Sequence, residues 1–341
     1  MSYGSRISRR SLIGGLTGAG LAGGLAALTP RLASGQESDV PDKIRLDYAY
    51  WNPSSLVIRD QGWLEEEFAA EGAEIEWVWS AGSNKANEWL RSDVVDIGST
   101  AGSAALLART NGSNIHTIYL FSQPEWAALV APEGSEIAAI EDLAGKKVAA
   151  TKGTDPYFFL LQSLASVGLS GSDVEVVNLQ HADGRVALIN GDVDAWSGLD
   201  PYMAQTELEE GSKLFYRNID FNTWGFLNVR ESFLNDHPGV VTRVLEQYER
   251  ARAWILENPE GASAILAREA ELTDEVAAVV LQQRTNLEID PVPGDVQRAV
   301  LEVVIPIFEA EDQLQPGSDA QEALDTLFAT DLISSIYTPA E

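Results

Sequence analysis

The 341-residue chain contains no cysteine, two methionines and three histidines. Without cysteine there is no disulfide, no thiol nucleophile, no thiolate metal site and no lipid-modified N-terminal cysteine. Basic residues are scarce too: 23 Lys and Arg stand against 52 Asp and Glu, a formal charge of −29. A balance that negative disfavours nucleic acid and anionic lipid headgroups as partners, because the long-range field repels polyanions. The acids are dispersed along the chain and read as a solvated surface. His116, His181 and His237 share no metal-ligand spacing, so neither a metal nor a cofactor is expected. His181 with Asp183 and a distant serine would resemble a triad, but no G-x-S-x-G elbow accompanies them, and no catalytic residue is assigned. No P-loop is present. Apolar residues, by contrast, are plentiful: 45% of the chain is hydrophobic, which at this length suffices for two lobes with a core in each.

The first 35 residues hold four arginines and no acid. Ser8-Arg9-Arg10-Ser11-Leu12-Ile13 is a twin-arginine pattern, followed by a mildly apolar, Gly- and Ala-rich stretch and then Ala33-Ser34-Gly35. Residues 1–35 are therefore expected to be a Tat signal peptide, removed to leave a soluble exported protein, periplasmic or extracytoplasmic. The stretch is too rich in glycine for a good spanning helix. It also contains Gly18-Ala19-Gly20-Leu21-Ala22-Gly23, a G-x-G-x-x-G match with no strand before it, which rules out a dinucleotide site there.

From residue 41 short strands alternate with helices. Strand patterns fall at 44–50, 75–79, 94–97 and 115–121, with helical spacing at 56–70, 85–91 and 101–109. The pattern restarts with strands at 126–130, 147–150, 174–179, 193–196, 214–216 and 225–229, and helices at 157–167, 185–190 and 203–208. Helical periodicity then dominates at 240–255, 261–270, 274–284 and 296–311. This alternation predicts an α/β protein of two lobes, each a mostly parallel sheet flanked by helices. Lobe 1 is expected to be discontinuous, 41–125 and 226–341, and lobe 2 to be 126–225, with a cleft between them.

Four strand-to-helix turns share one chemistry: residues 79–84, 97–103, 151–156 and 196–201 each combine glycine with Ser, Thr or Asp. Helix starts expose unpaired N–H groups and the positive end of the macrodipole, so they attract anions without Lys or Arg. Ser99 and Thr154 would add hydroxyl donors. Asp155 and Asp200 each precede a proline and read as helix caps, although either would also pair an ammonium. Trp51, Trp126, Tyr157 and Trp196 lie near strand ends, where they would wall a pocket or pack the core; Trp77 and Trp89 read as core.

These residues also resemble a known family. Asp142-Leu143-Ala144-Gly145-Lys146-Lys147-Val148-Ala149 running into Lys152-Gly153-Thr154 is similar to the second-lobe entry of the sulfonate, taurine and nitrate type of ABC substrate-binding proteins. Asn190-Gly191-Asp192-Val193-Asp194-Ala195-Trp196 with Asp200-Pro201-Tyr202, and Val95-Asp96-Ile97-Gly98-Ser99-Thr100, resemble two further family stretches. Gln61 to Phe68 fits its first helix, and Asn228 to Phe233 with His237-Pro238 its return to the first lobe. The resemblance implies a periplasmic-binding-protein type II fold, hinged closure on a small organic anion or zwitterion, a membrane permease as partner, and no enzyme activity. It implies ligand contacts from Trp51, Asn52, Ser83, Asn84, Ser99, Thr100, Gly153, Thr154 and Trp196. To these the residue reading adds Trp126, Tyr157 and Asp200, in a monomer. The chain departs from the family at Ala104-Ala105, where members often carry proline, and at a bulkier Tyr50-Trp51-Asn52-Pro53 loop. The ligand stays open among sulfonate, taurine, nitrate, carboxylate and a pyrimidine precursor, with sulfonate or taurine first. A sensor that has lost its permease would fit the same fold. A thiamine-pyrimidine-synthase-like enzyme fits less well, since that branch relies on a cysteine-rich segment.

Overall fold

The computed structural model describes residues 40–337; the twin-arginine segment, 1–35, lies outside the described residues. The described residues lie in one contact unit that holds two sheets. The chain enters the first sheet with β1 (Lys43–Tyr48), α1 (Pro53–Gln61), α2 (Trp63–Glu67), β2 (Glu74–Trp79), α3 (Ser83–Arg91), β3 (Ile97–Ala101), α4 (Gly102–Thr110) and β4 (Ile115–Pro124). It then builds the second sheet with β5 (Ala127–Ala131), β6 (Lys147–Ala150), α5 (Asp155–Ser166), β7 (Glu175–Asn178), α6 (His181–Asn190), β8 (Ala195–Leu199), α7 (Tyr202–Glu210) and β9 (Lys213–Tyr216). It returns through β10 (Gly225–Arg230), α8 (Glu231–Asp236), α9 (Pro238–Glu257), α10 (Pro259–Ala270), α11 (Asp274–Ala278), β11 (Thr285–Asn286), α12 (Asp295–Ala310), α13 (Ala320–Asp325) and α14 (Asp331–Ile336). No helix among the described residues is long and apolar enough to cross a membrane.

The strand orders are β11-β4-β10-β3-β1-β2 and β7-β6-β8-β5-β9. β1 pairs in parallel with β2 and β3, while β10 lies antiparallel between β3 and β4. In the second sheet β6 pairs in parallel with β7 and β8, and β5 is antiparallel to β8 and β9. Most strands of each sheet therefore share a direction, as the alternating pattern predicts. The exceptions are β5, the first strand of the second sheet, β10, which brings the chain back into the first, and the two-residue edge strand β11. Fully apolar β5, Ala127-Ala128-Leu129-Val130-Ala131, is buried along its whole length because both its faces are covered. One core runs through both sheets, from Ile44 and Leu46 to Leu129, Val148 and Phe159. A satellite core of Val130, Leu188, Trp196 and Met203 backs the second sheet.

Several element boundaries differ from expectation, three of them for a clear physical reason. The helix read at 56–70 breaks at Gly62, which adopts φ 65° and closes α1 by donating its N–H to Ile58 and Arg59 carbonyls. The strand read at 94–97 instead starts at Ile97 and runs through Gly98-Ser99-Thr100-Ala101, because β10 pairs with that whole segment. A long-range partner overrides the local turn composition. The helix read at 274–284 is α-helical only to Ala278, then π-helical over 279–283, before Arg284 leads into β11.

The chain passes from the first sheet to the second at Glu125 and Trp126, and back at Asn222 to Trp224. Asp155, at the start of α5, ties both crossings. Its Oδ2 accepts Trp126 Nε1–H (2.8 Å) and Thr223 N–H (2.7 Å), and its Oδ1 accepts Thr223 Oγ1–H (2.6 Å) and the Ser103 hydroxyl. Arg284 adds a second tie, pairing with Asp200 (3.2 Å) and with Glu207 of the second-sheet unit.

Candidate functional site

Three helices begin without a side-chain cap and start at the same place. The residue before α3 is Gly82, which has no side chain to offer. Thr154 precedes α5, but its hydroxyl donates to the Thr151 carbonyl (2.6 Å). Gln180 precedes α6 and makes no capping bond. Each first turn thus keeps N–H groups with no side-chain acceptor. Elsewhere a side chain meets the same demand: Asn52 Oδ1 accepts Ser55 N–H at the start of α1, and Thr223 Oγ1, from the return crossing, accepts Ser103 N–H at the start of α4.

The three open starts, one from the first-sheet unit and two from the second, face a small enclosed cavity. It is lined by Trp51, Ser83, Ala101, Trp126, Thr154, Asp155, Pro156, His181 and Leu199. The space open to the centre of a water molecule is only about 10 Å³, room for roughly one water. No Lys or Arg is among these lining residues. A Cβ on Gly82 would sit 3.0 Å from His181 Nε2, which shows how closely the two units approach.

Two buried polar atoms of the lining residues have no partner, Trp51 Nε1 and His181 Nε2, and at the adjoining helix starts Asn84 Oδ1 and Gln180 Oε1 have none either. Ser83 Oγ accepts Ala101 N–H (2.9 Å), so its own hydrogen remains available. His181 is oriented by Thr151. Thr151 Oγ1 donates its only hydrogen to the Leu179 carbonyl (2.6 Å), so its 3.1 Å contact with His181 Nδ1 requires Nδ1 to carry the proton. Burial pushes the His181 pKa down to about 3, so the ring is neutral and Nε2 presents a bare lone pair. Burial raises the Asp155 pKa, and the hydrogen bonds from Ser103, Thr223 and Trp126 pull it back. Four donors occupy both of its oxygens.

Of the residues expected to bind ligand, Trp51, Ser83, Trp126 and Thr154 are brought together at this cavity. Gly153 and Asn84 face each other near it, a Cβ on Gly153 lying 3.8 Å from Asn84 Cβ. The others are committed elsewhere. Asn52 caps α1 and reaches Tyr248. Ser99 donates its N–H and its hydroxyl to buried Asp47, and Thr100 Oγ1 bonds Asn228 and the Ala101 carbonyl; both belong to strand β3 rather than to a turn. Tyr157 packs on Phe158, ring centres 5.4 Å apart, with Lys152 over its face. Asp200 accepts Ala204 N–H (2.9 Å) and pairs with Arg284. Trp196 lies inside the satellite core, 1% exposed, away from the cavity.

That location makes Trp196 a packing residue. Trp196→Ala is expected to cost about 3–5 kcal/mol, the usual range for emptying a buried tryptophan site. Urea unfolding reads this directly, and a loss below about 1 kcal/mol would show that the indole is not packed as described.

Sequence reasoning did not bring His181 to this cavity and read Asp155 as a cap. His181 opens α6 after Leu179-Gln180, a strand-to-helix turn with no Gly, Ser, Thr or Asp to draw attention to it. Asp155 looks like a cap by position, and only the packing of Ser103 and Thr223 around it shows otherwise.

Residues 56–262 match the sequence model of the family described as NMT1/THI5 like. The chain belongs to that family. It is 28% identical over 277 residues to a Bacillus subtilis (strain 168) protein named for binding aliphatic sulfonates, covering 80% of this chain and 82% of that one. An Escherichia coli (strain K12) protein of the same name is 28% identical over 260 residues, 75% of this chain and 80% of its own. The fold matches the alkanesulfonate-binding protein SsuA from Xanthomonas axonopodis pv. citri bound to MOPS. The TM-score is 0.75 at 23% identity, over 83% of this chain and 98% of that one. The chain thus has the two-sheet fold of that sulfonate-binding protein.

Proposed function

We propose that this protein is the extracytoplasmic receptor of an ABC importer and binds a small organic anion, an aliphatic sulfonate first among candidates, between its two sheets. The observation that carries the reading is the meeting of three uncapped helix starts, from both units, at one buried cavity beside an unpartnered Trp51 Nε1–H. Each helix start presents roughly half a positive charge and its orphan N–H groups, which together stabilise an anion in the absence of any lining cation. The names of the relatives support a sulfonate as that anion. Trp51, Ser83, Trp126 and Thr154 are the contacts in this reading, with Asn84 and Gly153 at the rim.

The cavity is smaller than any organic anion, so the units must part for the ligand to enter. Lobe 1 (41–125 and 226–341) and lobe 2 (126–225) move about the two crossings, with Asp155 and Arg284 holding the closed form. The closed surface is what a membrane permease would read. Export through the twin-arginine segment 1–35, cleavage of that segment and a monomeric receptor complete the proposal.

A thermal-shift screen of the mature protein tests it. Methanesulfonate, ethanesulfonate, taurine, nitrate and acetate are each added in excess. A ligand at about 100 times its Kd adds roughly 2.7 kcal/mol of stability, so a sulfonate should raise the midpoint in a concentration-dependent way. No shift with any of the anions at millimolar concentration would defeat the reading.

A further inference from the structure

We propose that His181 is a ligand contact and that the site takes up one proton with each anion, admitting a simple monoanion in preference to an ammonium-bearing zwitterion. This rests on the reading of the cavity as an anion site. Two sets of hydrogen bonds, at His181 and at Asp155, carry the inference. His181 donates from Nδ1 to Thr151, leaving Nε2 as an acceptor that has no partner and faces the gap by Gly82. An anion offers only acceptors, so against a neutral Nε2 two lone pairs would meet. A proton on Nε2 turns that repulsion into a charge-assisted hydrogen bond.

The charged groups around the ring do not supply that proton's effect by themselves. On the α3 side Gly82 and Asn84 are uncharged, and Lys85 pairs outward with Glu88 (2.6 Å). On the β6–α5 side Lys152 lies over the Tyr157 ring, and Asp155 is saturated by its donors. On α6 Asp183 is exposed and Arg185 pairs with Glu210, and on α7 Tyr202 is held protonated, its pKa raised to about 12 chiefly by burial. Burial alone holds the ring neutral in the closed form, so the incoming anion is the charge that reverses it.

The second set lies at Asp155, the one acid among the lining residues. Both of its oxygens already accept two hydrogen bonds, so no carboxylate lone pair is left for an ammonium. Asp200, the other acid that sequence reasoning offered to an ammonium, is engaged with Ala204 and Arg284.

The test is calorimetric titration with ethanesulfonate, which has no group titrating near neutrality, in phosphate and in Tris. At pH near 7 the buffer dependence of the heat should report about one proton taken up per anion. Between the free ring's pKa and the complex's own, where one proton is taken up, the affinity should fall about tenfold per pH unit, and above the complex's pKa it should level off. His181→Gln, which offers an amide N–H without titrating, should bind with no proton uptake and a flat pH profile. Taurine, the amino analogue, should bind at least about tenfold more weakly, a difference near 1.4 kcal/mol. Ethanesulfonate binding without proton uptake overturns the role of His181 and leaves the anion reading standing. Taurine binding as tightly as ethanesulfonate overturns the exclusion of zwitterions. If no anion binds at all, the underlying reading fails and this inference fails with it.

Discussion

Asp155→Ala is expected to lower the unfolding midpoint by roughly 5–8 °C, corresponding to about 3–5 kcal/mol in a chain of this size. The loss has a definite source. Trp126 Nε1–H and Thr223 N–H are fixed in place and buried at 3% and 2% exposure, so neither can turn to water when Asp155 is removed. Each orphaned buried donor costs about 1–3 kcal/mol. The Ser103 and Thr223 hydroxyls can rotate to other acceptors, which limits their share. Relief of the buried carboxylate's own desolvation works the other way. Burial keeps the Asp155 pKa raised in spite of four hydrogen bonds, so this relief offsets part of the loss and sets the lower end of the range. Asp155→Asn presents an NH₂ group to one pair of donors and should be nearly as damaging. Calorimetry or circular dichroism melts decide the matter: a shift below about 3 °C for Asp155→Ala would mean that the carboxylate does not join the two crossings.

Gly82→Val is expected to weaken anion binding by at least about 100-fold, near 2.7 kcal/mol, while the unfolding midpoint moves by less than about 3 °C. Gly82 has φ 170° and ψ 162°, extended backbone that any residue adopts, so valine introduces no strain of its own. Its Cβ would stand 2.7 Å from Asn84 Oδ1 and 3.0 Å from His181 Nε2, in the gap proposed to close on the ligand. The side chain therefore obstructs closure without entering either core. Thermal shift with ethanesulfonate measures both quantities at once. Unchanged affinity would place the ligand elsewhere, and a collapse of the midpoint in the absence of ligand would make Gly82 a folding residue instead.

The α/β alternation was readable because each strand buries an apolar face against its own neighbours. Ile44 and Leu46 alternate as they must in β1, and β5 is apolar throughout because both its faces are covered. The open helix starts were readable in part. Gly82 and Gly153-Thr154 carry the small, polar composition of an anion turn, and both turns reach the cavity. The same composition misled at Ser99, Thr100 and Trp196. There β10 and β5 pair with the segments and extend the strands through what looks locally like a turn.

Composition and short-range pattern alone determined the acidic, cysteine-free character of the chain, the alternation of strands with helices and the presence of glycine-led helix starts. Those properties depend on residues near one another in the chain. Tertiary structure decided which helix starts meet, that Asp155 joins the two crossings instead of capping α5, and that His181 turns a bare nitrogen toward Gly82. Each of these depends on atoms brought together from residues about 30 to 100 positions apart, and a hydrogen bond formed at that separation leaves no mark on local sequence pattern.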